Sequence, residues 1–90
     1  MIQHAVTTLP PSEVLTRAKQ FFAERVPQAA AYPEKEGPSW LVLRGQGGEE
    51  IAIAAMPSNG TTRIRASTLL FDQAVSRFLS TLPVPIGSAA

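Results

Sequence analysis

Cysteine is missing from this chain, and with it go disulfides, thiolate metal ligands and a thiol nucleophile. Histidine occurs once, at His4, with no carboxylate at helical spacing from it. Neither a metal site nor a histidine-based dyad is spelled out locally. Charge is sparse: Asp, Glu, Lys and Arg make up 17% of the residues and leave a net charge of +1, so no global field draws the protein to nucleic acid or anionic lipid. No segment approaches the ~18 consecutive apolar residues of a membrane span, and the opening "MIQHAVTTLPPSE" has no basic region leading into an apolar run. There is no internal repeat and no low-complexity tract. These absences predict a cytoplasmic protein with no cofactor and no metal.

What is present is apolar: 44% of the 90 residues are hydrophobic, enough for one folded domain. A chain of this size buries only ~60–65% of the surface it exposes when unfolded, which leaves little interior for a large cavity. The domain is expected to span residues 1–83, and residues 84–90, rich in proline and small side chains, to form a flexible C-terminal tail.

Hydrophobic spacing orders the elements. Ile2 to Thr8 reads as a first strand, ended by Pro10 and Pro11. From Ser12 the positions Val14, Leu15, Ala18, Phe21, Phe22 and Val26 form one helical stripe, with Pro11 suited to its first turn and Pro27 to its end. "QAAAY", residues 28–32, is a possible edge strand before the turn "PEKEGPS". "SWLVLR", "EEIAIAAM" and "TTRIRAST" then form three strands separated by "GQGGE" and "PSNG", both of hairpin length. Leu70, Phe71, Ala74, Val75, Phe78, Leu79 and Leu82 repeat at helical spacing, with Ser67 or Thr68 available as the cap and Asp72 in the first turn. The fold class is therefore α+β, in the order β-α-β(3-4)-α: one antiparallel sheet with both helices on one face.

Register sorts the two faces of that sheet. Setting Leu43 opposite Ile51 and Leu41 opposite Ile53 brings Arg44 opposite Glu50, a favourable charge pair. Setting Ile53 opposite Ile64 leaves "PSNG" as the second loop. The helix-facing side is then Leu41, Leu43, Ile51, Ile53, Ala55, Ile64 and Ala66. The other side shows Trp40, Val42, Ala52, Ala54, Met56, Arg63 and Arg65, a shallow alanine floor with Trp40, Ala54 and Arg63 in one row. Long arginine stems folding over the alanines would cover such a floor without a partner. A Trp beside Val, Met and Ala exceeds a scatter of single apolar residues and points instead to an interface, and Arg next to Trp allows a cation–π contact.

The opening "AVTTLPPSEVLTRAKQFF" resembles that of the START-like, polyketide-cyclase-like (helix-grip) superfamily, and "GTTRIRAST" followed by "LLFDQAVSRFL" resembles its final strand and closing helix. Between Pro27 and Glu49 the chain is shorter than that family. The resemblance implies a small apolar ligand held between the sheet and the closing helix, here by Phe71, Phe78 and Trp40. The element order also resembles one repeat of the TATA-binding-protein-like fold, whose open sheet face binds DNA or a second sheet.

Local motifs add no chemistry. "RGQGGEE" lacks the Lys-Ser/Thr continuation of a phosphate loop and reads as a hairpin turn. Ser39, Ser58 and Ser67 have no nucleophile elbow around them, and the carboxylates form no spaced acid pair. Arg44, Arg63 and Arg65 beside Trp40 are the elements of a weak single-strand binder, against which stand Glu49, Glu50 and the low net charge. The leading expectation is a non-enzymatic interaction module using the outer sheet face, partnered by itself or by another protein. A miniature ligand carrier comes second and a nucleic-acid binder third.

Overall fold

The alternating stretches pair into one sheet in the computed structural model, which describes residues 1–24 and 31–85. Strand β1 (Ile2–Thr7) leads into helix α1 (Pro11–Glu24); β2 (Ala31–Glu36), β3 (Trp40–Gly45), β4 (Glu50–Ser58) and β5 (Thr61–Thr68) follow, and α2 (Asp72–Ser80) closes the chain. The five strands lie in the order β1-β5-β4-β3-β2, with every neighbouring pair antiparallel. Both helices pack on the same side, and their apolar stripes meet the inward side chains of the strands in one core.

That core follows from the alternation. Leu41, Leu43, Ile51, Ile53, Ala55, Ile64 and Ala66 are all buried, joined by Val14, Leu15, Ala18, Phe21 and Phe22 of α1 and by Ala74, Val75 and Phe78 of α2. The rings of Phe21, Phe22 and Phe78 pack at centroid separations of 5.2, 5.5 and 5.7 Å and fill the space between the helices. Helix α1 starts where its sequence dictates: Pro11 needs no amide partner, and the Pro10 carbonyl accepts from the amides of Glu13 and Val14. Val26 and Pro27 lie outside the described residues, as does most of the expected tail.

Strand β1 stitches α2 in place. Gln3 Nε2 donates to the Asp72 carbonyl, and Ser76 Oγ donates to Gln3 Oε1. At the other end the Thr7 hydroxyl donates to the Pro83 carbonyl at 2.6 Å. These bonds use the inward side of β1, so Ile2, His4 and Val6 point outward.

Three elements differ from expectation: the edge strand, the second hairpin and the start of the closing helix. Residues 31 to 36 form the edge strand, so "PEKEGPS" is a turn only from Gly37 to Ser39; of "QAAAY", residues 28–30 lie outside the described residues. Pro33 and the charged run after it suit an edge, where one missing amide costs no ladder bond, and the register shifts between Pro33 and Lys35.

The second hairpin pairs two residues further on than Ile53 with Ile64: Ile53 stands opposite Ala66, and Ala55 opposite Ile64. Its loop is Asn59-Gly60 alone, both with positive φ, the backbone of a two-residue hairpin turn that this dipeptide favours. A shift of two preserves the faces, which is why the core was unaffected.

Helix α2 begins at Asp72 with Phe71 at its cap position and no side-chain cap. Ser67 and Thr68 belong to β5 instead; the Thr68 hydroxyl accepts from the Phe71 amide at 3.2 Å. Leu70 therefore lies outside the helix, exposed.

Candidate functional site

Each outward position of the sheet is set by its strand's period of two. Across the middle of that face run Trp40, Ala54, Arg65 and His4 in one row; Val42, Ala52, Ser67 and Ile2 form the row beside it, and Met56, Arg63 and Val6 the row on the other side. The register shift thus places Arg65, not Arg63, in the row of Trp40.

The face is open. Trp40 is 40% exposed, Met56 56%, Ile2 49% and Val6 42%, whereas Leu41, Ala55 and Thr7, on the inward side of the same strands, are buried. Ala52 and Ala54 lie between them as a shallow floor, half-buried by the flanking side chains. No helix packs on this side among the described residues, since both sit on the other. Ile2, His4 and Val6 were not assigned to this face from sequence. The alternation of β1 held the information, but only the inward hydrogen bonds of Gln3 and Thr7 decide which side of β1 faces the helices.

Trp40 does not lie over the alanines. Its indole covers Gly37, where an added β-carbon would stand 2.6 Å from Cε2. With Ala54 between Trp40 and Arg65, the expected cation–π contact does not form within the chain. Neither Arg63 nor Arg65 has a carboxylate partner among the described residues.

Arg44 is placed differently. Its Nε and Nη2 donate to the two carboxylate oxygens of Glu34 at 3.1 and 2.7 Å, Nη2 also approaches Glu50 at 3.4 Å, and Nη1 donates to the Gly48 carbonyl at 3.0 Å. That hydrogen bonding holds the Glu34 carboxyl below the usual glutamate value and raises Arg44 in turn. With two carboxylates on it, Arg44 adds no free positive charge to a strip with Arg63 and Arg65. The three arginines are separated, and the basic strip expected beside Trp40 reduces to Arg63 and Arg65.

The residues expected to hold an apolar ligand are likewise not brought together. Phe78 is buried against Phe21 and Phe22, and Phe71 covers Gly45, its Cζ 3.1 Å from where a β-carbon would be. Trp40 lies on the opposite side of the sheet, because Leu41 next to it takes the inward position. A cleft of about 660 Å³ does exist, at the end of the outer face between the β3–β4 turn and the β5–α2 link, lined among others by Ile2, Arg44, Glu50, Ser67 and the exposed Leu69.

His4 stands exposed beside Arg65, and among the described residues no three histidines, acids or cysteines gather in a metal-holding group. No described helix is long and apolar enough to cross a membrane. No protein-family model, curated protein or solved structure matches the chain. The order of elements alone assigns neither the START-like nor the TATA-binding-protein-like resemblance.

Proposed function

We propose that this domain is a non-enzymatic protein-interaction module that works through the outer face of its sheet. One observation carries the reading: on the face opposite the helices Trp40, Val42 and Met56 with Ala52 and Ala54 form an apolar patch on β3 and β4 that stands open, with Arg63, Arg65 and Ser67 of β5 between it and the exposed Ile2 and Val6 of β1. Patches of that extent on a small domain mark contact surfaces. The strand beside the patch fits as well. On β5, Arg63 and Arg65 have flexible stems and no carboxylate partner among the described residues, so they can lie over a partner's apolar atoms while their heads stay in water. Trp and Arg are the residue types in which contact energy concentrates.

The test is Ala54→Glu. On a wet sheet the change costs a few tenths of a kcal/mol, whereas a carboxylate buried without a partner costs several. The variant should keep its circular-dichroism spectrum and lose assembly, read as molar mass by light scattering for the isolated chain and as co-purifying protein for the tagged chain in its source cells. A variant that assembles as the wild type does would contradict the reading.

A further inference from the structure

The outward pairs of the β3–β4 ladder each join unlike residues. Trp40 stands opposite Ala54, Val42 opposite Ala52, and Arg44 opposite Glu50. In the first two pairs the β3 member is large and the β4 member small; in the third the β3 member is a cation and the β4 member an anion.

We infer that the partner on this face is a second copy of the chain, related by a two-fold axis that lies in the contact plane, parallel to β3 and β4 and between them. The inference rests on the outer face being the contact surface. Such an axis swaps the members of every pair across the contact. Trp40 and Val42 of one copy then sit on Ala54 and Ala52 of the other, and Arg44 of one faces Glu50 of the other, each contact occurring twice.

The alternatives fit worse. An axis perpendicular to the strands, midway between the two alanine rows, sets Trp40 against Val42 and Ala54 against Ala52, bulk on bulk and hollow on hollow. An axis along β4 sets alanine on alanine across sheets that pack ~10 Å apart, which leaves a void where cores are filled. Of these three axes, the one between β3 and β4 matches size and charge together.

About this axis β3 faces β4 and β5 faces β2 of the other copy, while β1 extends past the contact. Four strands spaced ~4.8 Å apart, each ~20 Å long, give a projected face of roughly 380 Å² per copy, so two copies bury about 770 Å², under the ~1,000 Å² of stable interfaces and in the range of a weak, concentration-dependent dimer. A net charge of +1 per copy brings little repulsion. In the contact Glu50 gains a second guanidinium while Arg44 keeps Glu34, so the charges alternate around the pair.

Two measurements test this. The chain has no cysteine, so Gln46→Cys in the β3–β4 turn takes a single nitroxide, and the turn lies in line with the proposed axis. From strand and sheet spacings the two labels should lie roughly 10–20 Å apart, against about 30 Å or more for an axis perpendicular to the strands. Separately, Arg44→Glu and Glu50→Arg should each weaken self-association, and the mixture should form a heterodimer at least about tenfold tighter than either variant alone. An axis along β4 would leave Arg44→Glu self-association unchanged.

A dimer with close labels and a preferred heterodimer is the expected result. A dimer with distant labels, or one indifferent to the charge exchange, overturns the proposed axis. A chain that is monomeric at every accessible concentration overturns the second copy. If Ala54→Glu then still releases a different protein, the contact-surface reading stands; if it releases nothing, both fall.

Discussion

The indole of Trp40 lies on the backbone of Gly37, across the turn that joins β2 to β3, and the Gly37 amide donates to the Trp40 carbonyl at 2.9 Å. Close approach, not a positive φ, is what requires glycine there. Gly37→Ala would put a methyl group into the indole and force the ring off this seat. Because the far end of an exposed side chain can move, stability should change by less than about 1 kcal/mol. The near-ultraviolet circular dichroism, to which the single Trp contributes, should change while the far-ultraviolet spectrum stays the same. Identical near-ultraviolet spectra would show that the indole does not rest on Gly37.

The two faces of β4 should respond oppositely to truncation. Ile53 is buried between sheet and α1, so Ile53→Ala should cost on the order of 2–4 kcal/mol in urea unfolding. Met56→Ala, on the open face, should cost less than about 0.5 kcal/mol in the isolated domain at low concentration. Equal losses at the two positions would refute the assignment of faces.

The Asn59-Gly60 turn fixes the pairing of β4 with β5. Gly60 has φ +80°, a conformation that costs a residue with a β-carbon roughly 1–2 kcal/mol, so Gly60→Ala should destabilise by about that amount. Asn59→Gly should leave stability within a few tenths of a kcal/mol. A neutral Gly60→Ala would show that residue 60 does not hold a positive φ in solution.

Much of this architecture was legible because the period of two is strict where both strands are long. Leu41, Leu43, Ile51 and Ile53 announced the inward face and the β3–β4 register, and the Arg44–Glu50 pair agreed with it. The β4–β5 register was not fixed by that pattern, since a slip of two residues leaves every side chain on its own face. Only the turn preference of Asn-Gly discriminates, and it was spread over four residues instead of two. Strand β2 was obscured because an edge strand can carry Pro33 and a run of charges that no central strand would hold. At the site, Trp40, Val42, Ala52, Ala54 and Met56 could be placed from alternation alone, whereas the outward turn of Ile2 and Val6 depends on how Gln3 binds the start of α2 and Thr7 the segment after it.

Glu34 offers a pH test of the charge cluster. Its carboxyl is held below the usual glutamate value chiefly by the hydrogen bond from Arg44. A folded-state pKa lower than the unfolded one means that the pairing supports the fold above the unfolded value and that this support is lost as pH falls through the folded one. Titration followed by carboxyl NMR should therefore find Glu34 low, and Arg44→Gln should return it to the ordinary range. A Glu34 that titrates normally in the wild type would show that the bidentate contact is absent in solution.

The most direct measurement of the central claim is the emission of Trp40 as a function of protein concentration. Trp40 is the only tryptophan and sits on the outer face, so its spectrum reports whether that face is covered. The predicted result is short-wavelength emission, poorly quenched by acrylamide, at high concentration. It should shift to that of a water-exposed indole over the dilution range in which light scattering shows the mass halving, with Ala54→Glu exposed throughout. An indole equally exposed at every concentration, in a wild type indistinguishable from Ala54→Glu, would contradict it.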